Sequence, residues 1–197
     1  MNRYYLIYKP FGMLSQFSRE GEHPVLADLD FAFPKDVYPV GRLDADSEGL
    51  LLLTNDNYFK TKLLEPRFKH TRTYYVQVDG EITAEACQIL SAGVSITIDK
   101  KVYRTLPAQA EPISEPGLPE RNPPVRFRKN IPTSWLSLTL REGKNRQVRK
   151  MTAAVGFPTL RLVRWAIGNF SQADKTGDLP KPGDVWEVTA EEAQRFL

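Results

Sequence analysis

The chain has 197 residues, 41% of them hydrophobic and 26% charged, the composition of a soluble globular protein able to bury a substantial core. Its longest apolar run, Leu50 to Leu53, is far too short for a membrane span, and one cysteine (Cys87) with two histidines (His23, His70) speaks against a disulfide framework or structural zinc. The formal net charge of +3 is unevenly spread: residues 1–100 carry 11 basic and 14 acidic side chains, whereas residues 121–164 carry 11 basic and a single acid, Glu142.

That segregation points to a polyanionic partner, and phosphate backbone fits better than lipid because the basic segment also contains strand-like stretches. The opening MNRYYLIYKPFG enters a strand pattern at once and lacks the parts of a secretory signal, so a cytoplasmic setting is expected.

In chain order, RYYLIYK (3–9) reads as a strand stopped by Pro10 and Gly12. VYPV (37–40) is a short strand leading into an acidic stretch, and LLLLT (50–54) a buried one. Residues 56–64 read as a helix behind an Asn55 or Asp56 cap. TRTYYVQVDG (71–80) alternates and is rich in Thr, Tyr and Val, hence a strand, and TAEACQILSAG (83–93) is a helix with Thr83 as N-cap and Gly93 at its end. Strands are expected at 94–98, 102–110 and 134–141. Between the last two, six prolines from Pro112 to Pro132 oppose helix and central strand and predict a long loop. Its Arg121, Arg126, Arg128 and Lys129 are placed either to touch a polyanion or simply to solvate a connection. DVWEVT is a strand, and TAEEAQRFL closes the chain as a helix with Thr189 and Glu192 at capping-box spacing. Strands outnumber helices and look antiparallel, which predicts an α+β fold.

The segment EGKNRQVRKMTAAVGFP (142–158) is amphipathic if wound as a helix after Gly143. Val148, Met151, Thr152 and Val155 share one face, while Arg146, Arg149 and Lys150 occupy the broad opposite side. LRLVRWAIGNF follows as a strand and adds Arg161 and Arg164. No acid intersperses these cations, which weakens the reading of an ordinary solvated face.

The acidic stretch GRLDADSEG (41–49) has several readings. As a calcium loop it fails: residues beyond Gly49 are leucines, and Asn55 stands where a bidentate glutamate is needed. A magnesium nuclease would need further acids from elsewhere in the chain. A glycosidase-type pair of Asp44 and Asp46 stays open, without clustered sugar-binding aromatics to favour it. A single chemical aspartate, Asp44, needs least: Asp46, Ser47 and Glu48 close the loop, Gly49 makes the bend, and a guanidinium such as that of Arg149 secures the ionised acid in a partly dry cleft.

At these residues the chain resembles a known family. GRLDADSEGLLLLTND looks like the signature of pseudouridine synthases of the small-subunit ribosomal RNA synthase A type. YKPFG (8–12), RTYYVQVDG (72–80) and LREGKNRQVRKMTAAVGFPTLRLVR (140–164) resemble three further family motifs in the right order. The resemblance implies an α+β pseudouridine synthase fold, a mixed and mainly antiparallel sheet flanked by short helices around a central active-site cleft. Residues 1–197 would form one catalytic domain of two lobes, without the small N-terminal RNA-binding domain that many relatives carry. The implied activity is isomerisation of a uridine in ribosomal RNA, that of the large subunit, after flipping of the base, with no cofactor and no metal. An RNA-binding module without catalysis and a metal-dependent nuclease are the alternatives.

By position, the resemblance makes Asp44 the catalytic aspartate, Tyr74 the active-site tyrosine and Arg149 the basic partner of the aspartate. Arg42 matches a residue that enters the RNA where the base leaves. Lys144, Arg146, Lys150, Arg161, Arg164, Arg126 and Arg128 are expected to grip phosphates. Arg72, Lys150 and Phe157 depart from residues common in the family. Ribosomal RNA is the expected partner, with no membrane, no small-molecule cofactor and a monomeric chain. Tyr75, on the strand face opposite Tyr74, is expected in the core.

Overall fold

The computed structural model describes residues 1–68, 70–125, 131–174 and 180–197, so the candidate RNA contacts Arg126 and Arg128 lie outside the described residues. The chain divides into two compact units, one built from Met1–His70 with Arg164–Leu197, the other from Thr71–Val163.

In the first unit β1 (Tyr4–Lys9) runs antiparallel between β3 (Glu48–Thr54) and β11 (Val185–Val188). The short β2 (Tyr38–Pro39) pairs with β3 as well. Every residue of β1 and β3 is buried, because both faces of this sheet are covered. Alternation then sends each strand's side chains into two different cores. Tyr4, Leu6, Leu50 and Leu52 meet Phe59, Phe170 and Phe196 on one side. Tyr5, Ile7, Leu51 and Leu53 meet Met13, Leu26 and Val37 on the other. A continuous apolar run such as LLLL is what a strand covered on both faces requires.

Helix α1 (Asn57–Leu64) starts at Asp56, whose carboxylate accepts from Phe59 N at 2.9 Å, and it buries Phe59 and Leu63. The C-terminal α4 (Ala190–Ala193) begins with the expected capping box of Thr189 and Glu192. Gly49 has φ +99°; a Cβ there would sit 2.8 Å from Arg164 N and closer still to the Arg164 carbonyl oxygen. The residue before the four leucines is therefore a glycine for close approach as well as for its left-handed backbone.

In the second unit β4 (Arg72–Asp79) pairs antiparallel with β8 (Thr133–Leu140), and β8 with β7 (Gln109–Ile113). A separate hairpin joins β5 (Ser95–Ile98) to β6 (Lys101–Arg104). The core unites Val76, Val78, Leu136 and Leu138 with Cys87 and Leu90 of α2 (Ala84–Ser91), and with Val148 and Met151 of α3 (Gln147–Ala154). Strand β9 (Thr159–Ile167) begins in this unit and ends in the first, where β10 (Phe170–Ser171) folds back on it. The named pairings are antiparallel and the helices short, as the α+β expectation required.

Three expectations are revised. The single strand expected over 102–110 is two strands, because Pro107 interrupts it and its halves pair in different sheets. The proline-rich loop begins later than expected: Pro112 belongs to β7 and sits opposite Leu136, tolerated on a strand paired along one side only among the described pairings. The helix expected after Gly143 begins only at Gln147, because Arg146 adopts a left-handed conformation with φ 53°.

Candidate active site

The first unit holds its acidic loop with the segment that follows β1. Leu43 is clamped by Ser15, whose hydroxyl accepts from Leu43 N at 3.0 Å and donates to Leu43 O at 2.9 Å. On the far side of Asp44, Ala45 O accepts from Gly12 N at 2.7 Å, and Ser47 N closes a turn onto Asp44 O at 3.0 Å. Asp44 thus lies between two fixed residues, with its side chain exposed. Its neighbours differ: Asp46 is half-buried and Glu48 is 1% exposed. Of the three carboxylates in the stretch, the one exposed is the aspartate of GRLD. Arg42, also exposed, donates from Nη2 to Gln16 Oε1 at 3.4 Å.

Beneath this loop sits a residue that sequence reasoning did not single out. Lys9, at the end of β1, is 0% exposed. Its Nζ donates to Met13 O at 2.6 Å, Pro10 O at 2.8 Å and Ala45 O at 3.4 Å. Burial pushes its ammonium down from 10.5 to about 7; Arg164 pushes the same way, and the carboxylates of Glu48, Asp46 and Asp44 push against it. A lysine ending a strand that is otherwise wholly apolar, directly before a proline, was the signal available in YYLIYKP. Its three carbonyl acceptors tie the YKPFG turn to the GRLDAD loop.

In the second unit Tyr74 is half-buried and packs against the core alongside Val76 and Val78, as its position on the same strand face dictates. Tyr75, expected in the core, instead lies on the other face, where burial and then Glu111 raise its phenol. Arg149 and Lys150 are half-buried on α3, whose apolar face buries Val148, Met151 and Thr152 as the spacing predicted. Lys144 and Arg146 are exposed on the turn before the helix.

That turn is organised by Glu142, the lone acid of the basic segment. Its carboxylate accepts from Tyr103 OH at 2.5 Å, from Leu106 N at 2.8 Å and from Gln147 Nε2 at 2.7 Å. The buried Gln147 in turn accepts from Lys144 N at 2.9 Å, and Lys144 Nζ lies 5.1 Å from the centre of the Tyr103 ring. Glu142 is therefore engaged by neutral donors, and the Lys144–Arg146 turn is pinned at both ends.

Two candidate phosphate contacts are buried. Arg161 is 6% exposed and donates to Pro119 O at 2.8 Å; Arg164 is 4% exposed and donates to Leu50 O at 2.7 Å. Arg121 likewise spends hydrogen bonds on its own loop, at Pro123 O (2.7 Å) and Pro124 O (2.9 Å). Among the described residues no group of three or more His, Cys, Asp or Glu side chains is arranged to hold a metal ion, and no helix is long and apolar enough to cross a membrane.

An exposed aspartate on a splinted loop, in a chain with a second unit bearing a cationic turn and helix, is the setting in which the comparisons with known proteins fall. The chain matches the RNA pseudouridylate synthase family over residues 3–154, and it belongs to that family. It is an RNA pseudouridine synthase, an isomerase. It is 51% identical over 188 residues to the ribosomal large subunit pseudouridine synthase E of Vibrio parahaemolyticus, covering 95% of this chain and 74% of that one. To the protein of the same name from Xanthomonas campestris it is 46% identical over 191 residues, covering 96% and 97%. A crystal structure of a pseudouridylate synthase shares the fold, with a TM-score of 0.78 at 24% identity over 100% of this chain and 74% of that one.

Proposed function

We propose that this enzyme converts a uridine of ribosomal RNA, that of the large subunit, to pseudouridine, with Asp44 as the acting carboxylate. The names of the relatives supply the substrate class. The observation that carries the assignment of the acid is the contrast within GRLDADSEG: Glu48 is enclosed, whereas Asp44 is exposed between two residues held by Ser15, Gly12 and Lys9. A group that must meet a nucleoside at a fixed angle needs such a rigid, open seat.

The reaction is an isomerisation and balances without a co-reactant. The bond from uracil N1 to C1′ breaks, the base turns, C5 bonds to C1′, and the proton on C5 is lost while N1 gains one. Asp44 acts as nucleophile or base at the sugar. A base within a stack is out of reach, so the uridine leaves it, and the planar guanidinium of Arg42 is suited to fill the gap. Arg149 is proposed as the cation that orients Asp44, and Tyr74 as the ring that meets the uracil. Both roles rest on the family resemblance. Lys144, Arg146 and Lys150 hold phosphates. Arg161 and Arg164, buried and bonded to main-chain carbonyls, are given internal roles instead.

The test is tritium release from C5-labelled uridine in large-subunit ribosomal RNA transcripts. The wild type should release tritium, and Asp44→Asn should lose at least about a hundredfold in rate while still binding RNA. An Asp44→Asn enzyme that retains wild-type release would remove Asp44 from the chemistry. Release by neither protein from any transcript or ribosomal particle would remove the reading itself.

A further inference from the structure

We infer that the outer face of α1 and the turn after it form a second contact surface for RNA, one that receives an unpaired stretch flanking the target uridine. The inference rests on the proposed action on RNA. None of the motifs that identify the family includes this surface, which is built from NYFKTKLLEPRF (57–68).

Helix α1 turns Phe59 and Leu63 inward and leaves Tyr58 71% exposed. Phe68, in the short turn Pro66–Phe68 that follows, is 42% exposed. Here each ring carries its own cation: Lys62 Nζ lies 4.7 Å from the centre of the Tyr58 ring, and the Arg67 guanidinium carbon 4.8 Å from that of Phe68.

The local acids are already engaged. Asp56 accepts from Phe59 N, from Tyr4 OH and from Asn2 Nδ2. Glu65 is bound by Arg67 at 2.7 Å. Arg67 is thus shared with Glu65, and what the face offers outward is two aromatic rings with the Lys62 ammonium beside one of them, on which unpaired bases stack while a phosphate is neutralised.

The end of α1 also adjoins the loop of the reaction. Leu64, at the end of α1, lies where a Cβ on Gly41 would come within 3.2 Å, and Gly41 is followed directly by Arg42, Leu43 and Asp44. Both belong to the first unit. Asp44 and this aromatic and cationic surface are thus carried by the same unit.

The experiment uses the full chain in two arms. Direct binding to labelled single-stranded oligouridylate, across a salt series, requires no turnover. Tyr58→Ala should weaken it roughly fivefold to a hundredfold, the range for removing one base stack. The variant Lys62→Gln, which touches no core residue, should flatten the dependence of log K on log salt by about 0.7, the share of one phosphate no longer neutralised. In the second arm, on a transcript the wild type converts, both variants should raise KM and leave kcat within about twofold, since neither alters the Asp44 loop. Wild-type affinity, salt slope and KM in both variants would overturn the inference while leaving the proposed reaction standing. So would unchanged RNA binding accompanied by loss of self-association in sedimentation, which would assign the face to a second copy of the chain. Failure of the wild type to convert any transcript would count against the reaction and leave the binding arm to decide this surface.

Discussion

Lys9 and Glu142 each hold a loop by satisfying several main-chain or neutral partners from one buried or half-buried charge. Lys9 is the stricter case, since it is fully enclosed and its ammonium faces three carbonyls. Its folded value of about 7 lies below the ordinary 10.5, so between those limits the unfolded chain binds a proton that the folded one does not. Stability must then rise with pH across that window, by at most about 1.4 kcal/mol per pH unit. Urea unfolding at pH 7, 8 and 9 should show the wild type gaining relative to Lys9→Met. Parallel pH profiles would mean that Lys9 titrates normally. For Glu142, replacement by Gln weakens the hydrogen bond that, ahead of burial and the carboxylate's charge, raises the Tyr103 phenol, so Tyr103 should ionise at lower pH in an ultraviolet titration. The same substitution weakens three hydrogen bonds and should cost about 1–2 kcal/mol. An unmoved Tyr103 titration would contradict the 2.5 Å contact.

At the level of elements, the close pairing of β3 with the backbone at Arg164 depends on Gly49. Its positive φ and the crowding by Arg164 act together, so Gly49→Ala should destabilise by more than about 3 kcal/mol, measurable by thermal or urea unfolding. A loss under about 1 kcal/mol would show that the two strands separate easily there. The elements also show where periodicity succeeds and where it stops. Strands 4–9 and 72–79, the 50–54 part of the strand that runs from 48 to 54, and the helices at 57 and 84 were legible because apolar runs, alternation and caps are local. The start of α3 was not, because the left-handed Arg146 is imposed by Glu142 and Gln147, whose partners Tyr103 and Leu106 are distant in sequence. Nor was the break at Pro107, where the chain leaves one sheet for another.

At the scale of the whole molecule, the asymmetry of charge has a thermodynamic consequence. Lys144 and Arg146 are exposed and Lys150 half-buried, so three phosphate contacts are available from the proposed set. On single-stranded RNA these three should contribute about −2 to the slope of log K against log salt. A slope near zero, from filter binding or fluorescence anisotropy, would remove phosphate contact as the basis of RNA affinity. The number is smaller than the 11 basic residues of 121–164 imply: Arg161 and Arg164 are enclosed, Arg121 secures its own loop, and Arg126, Arg128 and Lys129 lie outside the described residues.

The sequence by itself determined the family, the order of most strands and helices, and the aspartate to watch, because motif spacing, alternation and capping are properties of neighbours along the chain. Only the tertiary structure decided which of three clustered carboxylates is exposed, that Lys9 lies beneath them, that Tyr74 rather than Tyr75 packs on the core, and which arginines are spent internally. Burial and hydrogen-bond partnership depend on residues far apart in the chain, and no local pattern encodes them.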